Sequence, residues 1–191
     1  MAKKESTFPN MLITLLVITF ASATSLGYVY ELTKEPIAQA KLNKKIEAIK
    51  QVVPTFDNNP NDEMYEVAMD NGFILELYPA KMQDSLVGTA VKTFTKNGFS
   101  GEIWLMVGFT PDGSIIDVSV LEHKETPGLG TKMAEPTFKD QFKIKNPTSY
   151  KLSVKKDGGD VDAITAATIS SRAFCDAVDR AHKALLKGDN Q

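Results

Sequence analysis

"IWLMVGFTPDGSIIDVSVLE", residues 103–122, is the stretch that decides the fold. Two runs rich in β-branched and aromatic residues, Ile103–Phe109 and Ser114–Glu122, flank the tetrapeptide Thr110–Gly113, "TPDG". Proline presets φ at the second position of a tight turn and glycine tolerates positive φ at its end, so the stretch predicts a β-hairpin. A hairpin joins antiparallel strands, whereas parallel strands would need a long crossover. Upstream, "LVGTAVKTF" (Leu86–Phe94) and "FILELY" (Phe73–Tyr78) predict two more strands, and downstream "SYKLSV" (Ser149–Val154) predicts another. "FDNNPND" (Phe56–Asp62) has the composition of a loop. Helical periodicity frames these strands. Leu42, Ile46, Ile49 and Val53 give a stripe over residues 34–53 that Pro54 ends, and Phe174, Val178, Ala181 and Leu185 give another over Ser170–Leu186. Strands in runs with helices at the ends predict an α+β domain with a mainly antiparallel sheet and flanking helices.

The 191 residues carry a net charge of −2 with no Lys/Arg block, so no basic stripe exists to displace counterions and nucleic acid is excluded as a partner. One cysteine, Cys175, forbids an internal disulfide. With only His123 and His182 beside it, no zinc or iron–sulfur spacing can be assembled, and no metal site is expected. If the chain carries electrons, it does so with an organic cofactor or a partner's metal.

The N-terminal end reads as a membrane segment. No charge falls between Ser6 and Tyr30, and "MLITLLVITFASATSLGYVY" (Met11–Tyr30) is mostly apolar. Twenty helical residues cover about 30 Å, the thickness of a bilayer core. A cleavable signal peptide is the competing reading, since Lys3 and Lys4 precede the run and "ASA" (Ala21–Ala23) resembles a cleavage site. The apolar run continues past that site, which favours an uncleaved anchor. Residues 1–10 are then a short tail, 11–30 the transmembrane helix, 31–55 a linker helix and 56–191 the folded domain. Lys34, Lys41, Lys44 and Lys45 follow the span, so lysine counting alone does not fix the orientation.

Two stretches carry chemistry. In "HKETPGLG" (His123–Gly130), Pro127-Gly128 followed by Gly130 makes a turn whose amides, with the Thr126 hydroxyl, suit the polar edge of a flat heterocycle, while Leu129 suits a ring face. A plain structural loop is the alternative. In "DAITAATISS" (Asp162–Ser171), hydroxyls gather before the last helix, where free N–H groups and the positive end of the dipole attract an anion that would also meet Arg172. Hydroxyl-rich capping explains the same letters. Thr168 as an enzymic nucleophile lacks an identifiable base.

Together, behind one anchor, the two stretches resemble the covalent flavin-binding domain shared by the RnfG and NqrC subunits of the Rnf and Na⁺-translocating NADH:quinone oxidoreductase complexes. The resemblance covers most of the chain. The family signature is D-x-x-[S/T]-G-A-T-x-[S/T], whose final Thr is esterified to the phosphate of FMN by a separate flavin transferase. Asp162 matches the leading acid, Thr165 the Ser/Thr, Ala167 the alanine and Thr168 the flavinylated threonine. Ala166 stands where the family has glycine, a strain of about 1 kcal/mol if φ there is positive. Glu125, Thr126, Leu129 and Gly130 match the turn that lies against the flavin. The histidine of "HKETPGLG" and the short chain favour Rnf over the quinone reductase.

The resemblance implies an electron relay with covalent FMN, not a catalyst on its own, within a complex coupling ferredoxin:NAD⁺ electron flow to ion transport. It implies an inner-membrane, single-pass subunit with its C-terminal domain outside the cytoplasm. Its partners are an intramembrane iron–sulfur subunit, another flavin subunit and, for maturation, the transferase. Phe94, Phe99 and Trp104 are aromatics that either pack near the flavin or fill the core. Cys175 is expected to be simply buried. Two rivals follow from the same residues: a membrane-anchored module holding a phosphorylated ligand non-covalently, and a flavin reductase acting alone.

Overall fold

The computed structural model describes residues 7–70 and 72–188. The first six residues of the expected 1–10 tail, Lys3 and Lys4 among them, lie outside these, as do the last three of the 56–191 domain. The chain forms two compact units, Met1–Asn43 and Lys44–Gln191. Helix α1, Phe8–Val52, runs unbroken through the stretches read as a membrane span and as a linker helix, with Pro36 inside it. In the first unit it is long and apolar enough to cross a bilayer. Thr14, Thr24 and Thr33 each donate to the carbonyl four residues earlier at 2.8 Å, and Thr19 does the same. Each hydroxyl is thereby paired within the helix.

The second unit is built on a five-stranded antiparallel meander in the order β1 (Tyr65–Ala68), β2 (Ile74–Met82), β3 (Ser85–Gly98), β4 (Gly101–Phe109) and β5 (Ile115–Glu122). The 103–122 hairpin forms as read, with Val107 opposite Val118 and a turn closed by Gly113 N–H donating to Thr110 O at 2.9 Å. Helix α2 (Pro136–Lys139) is a single turn in the connection that follows, and α3 (Thr168–Gly188) closes the chain.

Ser149–Val154 is not a strand. It makes a single parallel bridge, Val154 to Val161. The donors of this segment turn inward on their own loop: Lys151 N–H reaches the Asp160 carboxylate at 2.7 Å, and Ser153 N–H reaches Lys151 O at 2.7 Å.

Strand alternation sends side chains to opposite faces, and both faces find cover in this sheet. On one, Leu77, Val91, Leu105, Val107 and Val118 pack in one core with Phe174, Ala177, Val178 and Ala181 of α3. Thr93, on the same face, donates to Ala177 O at 3.0 Å. On the other, Tyr78, Ala90 and Met106 pack with Ala48, Ile49 and Val52 at the end of α1. That approach is close enough to exclude a side chain from Gly108, where a Cβ would sit 1.7 Å from Val52 O. The sheet is therefore clamped between α3 and the end of α1.

His182 of α3 is buried beside the Phe109 ring, with centroids 5.9 Å apart, and no hydrogen bond to it is seen among the described residues. Burial lowers its pKa below 6.5, with Asp179 opposing the shift and Lys183 adding to it. The unfolded chain binds this proton more tightly, so the contribution of His182 is present above pH 6.5 and lost as pH falls through the folded-state value. The melting temperature of the full chain in detergent should fall as pH drops from 7 through 6.5 and below. His182→Leu should flatten the dependence, and an unchanged slope would contradict this account.

Candidate functional site

The approach to α3 is a tight turn. Ala167 N–H donates to Ile164 O at 3.0 Å, and Ala166, its third residue, has φ 61°. Positive φ at that position is the type II arrangement, which favours glycine. Ser171 fastens the turn to the helix: its hydroxyl accepts from Ile164 N–H at 2.9 Å and donates to Ala167 O at 3.0 Å. Ser170, also buried, donates to Glu125 Oε2 at 2.5 Å. Those two hydroxyls are structural. The Thr165 and Thr168 hydroxyls have no hydrogen bond among the described residues. Thr165 sits at an exposed corner, whereas Thr168, half-buried, lines a cleft of about 310 Å³.

A second wall of that cleft comes from Thr126, Leu129 and Gly130. Most amides of this turn serve the turn itself. Gly128 N–H donates to Thr131 Oγ1 at 2.9 Å, and Leu129 and Thr131 N–H both donate to Thr126 O, at 3.2 and 3.4 Å. The Thr126 hydroxyl has no such partner among the described residues, so the polar rim offered by this wall is narrower than the sequence suggests. A third wall is Phe99, at the tip of the β3–β4 hairpin.

Glu125 joins the three walls. It is only 4% exposed and has no cation within salt-bridge distance among the described residues. Its Oε1 accepts from Ser100 N–H at 3.0 Å, next to Phe99, and its Oε2 accepts from Ser170, two residues past Thr168. Its own N–H donates to His123 Nδ1 at 3.2 Å, which gives that histidine a structural role. Gly130 packs against the same pair, where a Cβ would lie 2.6 Å from Glu125 Oε2 and 2.7 Å from Ser170 Oγ.

Of the residues singled out in the sequence, Glu125, Thr126, Leu129, Gly130, Ala166, Ala167 and Thr168 come together around this cleft. Asp162 and Thr165 are not among its lining residues. Asp162 pairs with Lys155 at 2.7 Å and exchanges backbone hydrogen bonds with the Gln141 amide. Arg172 does not face the start of α3, because its guanidinium grips Asp157 through two bonds of 2.6 and 2.8 Å and holds that carboxyl below the usual range. Phe94 and Trp104 stack on each other, centroids 4.6 Å apart, and only Phe99 of the three aromatics borders the cleft. Cys175 is buried, and burial pushes its thiol up to about 12, the mark of an inert side chain. Ile169 and Ser170 complete the lining. Ile169 carried a signal, since it is an apolar residue off the buried stripe of α3. Ser170 was legible as a hydroxyl at the start of the helix, but its partner, 45 residues away, was not.

Residues 98–183 match the FMN-binding domain family. The G subunit of the ion-translocating oxidoreductase complex from Erwinia tasmaniensis is 37% identical over 180 residues, covering 88% of this chain and 85% of its own. Its counterpart from Pasteurella multocida is 35% identical over 192 residues, covering 92% of each. This chain belongs to the RnfG family of ion-translocating oxidoreductase complexes. Among solved structures, NqrC of Shewanella oneidensis aligns over 68% of this chain and 63% of its own at 21% identity, with a TM-score of 0.47, a likeness too loose to bear on function.

The cleft suits the flavin nucleotide its family binds. Its volume lies at the small end of the range for ligand pockets, its walls are apolar at Phe99, Leu129 and Ile169, and its lining includes the first three residues of α3, where a helix leaves N–H groups without intrahelical partners. Ala166 is its strained member. Glycine at this position removes the left-handed penalty that a Cβ incurs, so Ala166→Gly should raise the unfolding free energy by about 1 kcal/mol. Denaturant unfolding of the full chain in detergent measures it, and a neutral or destabilising result would mean that the turn relaxes to accept alanine.

Proposed function

We propose that this chain is the covalent FMN carrier of an Rnf-type complex, with the FMN phosphate esterified to Thr168. What supports the reading most is Thr168, which lines the cleft at the first residue of α3 and whose hydroxyl has no hydrogen bond among the described residues, while Ser170 and Ser171 hold the scaffold. Esterification replaces the Thr168 Oγ–H bond with an Oγ–P bond. The leaving group comes from an activated flavin nucleotide delivered by the transferase, and it carries away the displaced proton. The first-turn N–H groups and the helix dipole then face the phosphate. Leu129 and Ile169 exclude water from an apolar ring, and the Thr126 hydroxyl offers a hydrogen bond at its edge. FMN, when bound, supplies electron transfer in single steps. No described residue needs to act as an acid or base on a substrate, which suits a relay.

In this reading α1 crosses the inner membrane once and residues 56–191 lie on the extracytoplasmic side. A tether secures the cofactor there, because little free FMN is available to keep a reversible site filled. Electrons arrive from an intramembrane iron–sulfur subunit and leave to another flavin subunit, within a complex that couples ferredoxin:NAD⁺ electron flow to ion transport.

Co-expression of the full chain with a flavin transferase, followed by a denaturing gel viewed under ultraviolet light, tests the attachment. The wild-type band should fluoresce, Thr168→Ala should be dark and Thr165→Ala should stay bright. A dark wild-type band, with flavin lost on denaturation, would favour a non-covalent phosphate-binding module instead.

A further inference from the structure

Phe99 is 67% exposed, although it sits on one of the most constrained pieces of backbone in the domain. The hairpin tip that carries it, Gly98–Gly101, is packed directly on Glu125. A Cβ on Gly98 would lie 2.3 Å from Gly101 O and 2.8 Å from Glu125 Oε1. Ser100 N–H donates to that same Oε1 at 3.0 Å, and the other carboxylate oxygen holds Ser170 of α3 at 2.5 Å. A large aromatic ring thus stands mostly exposed on an anchored hairpin tip, bordering a cleft whose other exposed large apolar residues are Leu129 and Ile169. Rigid presentation of an unburied aromatic favours a planar partner that covers it, since stacking adds to the gain from area burial.

We propose that Phe99 forms a wall of the isoalloxazine site, its ring packing on one face of the bound flavin, and that Glu125 is the positioning residue that fixes this wall relative to Thr168. The proposal rests on the reading of this cleft as the FMN site. The sequence matched Glu125 to a flavin-contacting turn, whereas its carboxylate oxygens in the structure are directed at Ser100 and Ser170. Its part is to hold the hairpin and the helix together.

The test uses the flavinylated full chain in detergent. An indole in contact with a flavin quenches its emission, so Phe99→Trp should lower native flavin fluorescence severalfold, with full recovery on denaturation. Leu86→Trp, at the opposite end of β3, should leave emission unchanged. Phe99→Ala should make the bound flavin severalfold more accessible to iodide. Glu125→Gln should move accessibility in the same direction and add nothing in the Phe99→Ala background, because both changes act through one wall. Equal emission from Phe99→Trp and Leu86→Trp, on wild-type protein that carries covalent flavin, would overturn the role of Phe99 and leave the FMN reading standing. Additive effects of Glu125→Gln and Phe99→Ala would overturn the positioning role of Glu125. Wild-type protein that takes up no flavin would overturn the proposal together with the reading beneath it.

Discussion

The carboxylate of Glu125 is the constraint on which the site depends. A buried carboxyl group is costly unless its oxygens are hydrogen-bonded, and Glu125 meets that condition by reaching in two directions at once. One oxygen takes the Ser100 amide of the β3–β4 hairpin and the other takes the Ser170 hydroxyl of α3. Three segments far apart in sequence are thereby fixed around one cleft: the hairpin tip, the turn after β5 and the start of the last helix. The sheet beneath supplies the stiffness for this. It is packed by α3 on one face and by the end of α1 on the other, so the strand ends that carry the cleft have little freedom to shift.

Much of this fold was legible from local chemistry. The 103–122 hairpin follows from Pro-Asp-Gly between β-rich runs, and the last helix follows from the spacing of Phe174, Val178, Ala181 and Leu185. Local chemistry misled where tertiary bonds decide the outcome. Ser149–Val154 alternates like a strand, but Asp160 and the loop's own carbonyls take its donors. Tyr65–Ala68 is a strand of only four residues, too short for its pattern to stand out, and it exists because β2 pairs with it. The stretches read as an anchor and a linker helix are one continuous helix, Phe8 to Val52.

The site shows the same division. Sequence could collect the hydroxyls before α3 but could not sort them. The sorting depends on Glu125, which claims Ser170, and on the Ile164–Ala167 turn, which claims Ser171. Thr168 is left among the residues that line the cleft, and Thr165 is not one of them. Ala166 could be flagged as irregular from its neighbours, and its φ of 61° places it in the region that glycine tolerates and alanine does not. Arg172 looked like a phosphate ligand because it follows the hydroxyls. Its bidentate grip on Asp157, fifteen positions earlier, could not be seen in one dimension.

A helix long and apolar enough to cross a bilayer, a clamped sheet and a narrow cleft at the start of α3 belong to an FMN-binding subunit of an ion-translocating oxidoreductase complex. We propose that the cofactor is attached at Thr168. Peptide mapping by mass spectrometry of the full chain, matured with its transferase, tests this most directly. The account predicts that the peptide containing Thr168 gains the mass of FMN less one water and that fragmentation places this mass on Thr168. An unmodified peptide, or the added mass on Thr165 or on a serine, would contradict it.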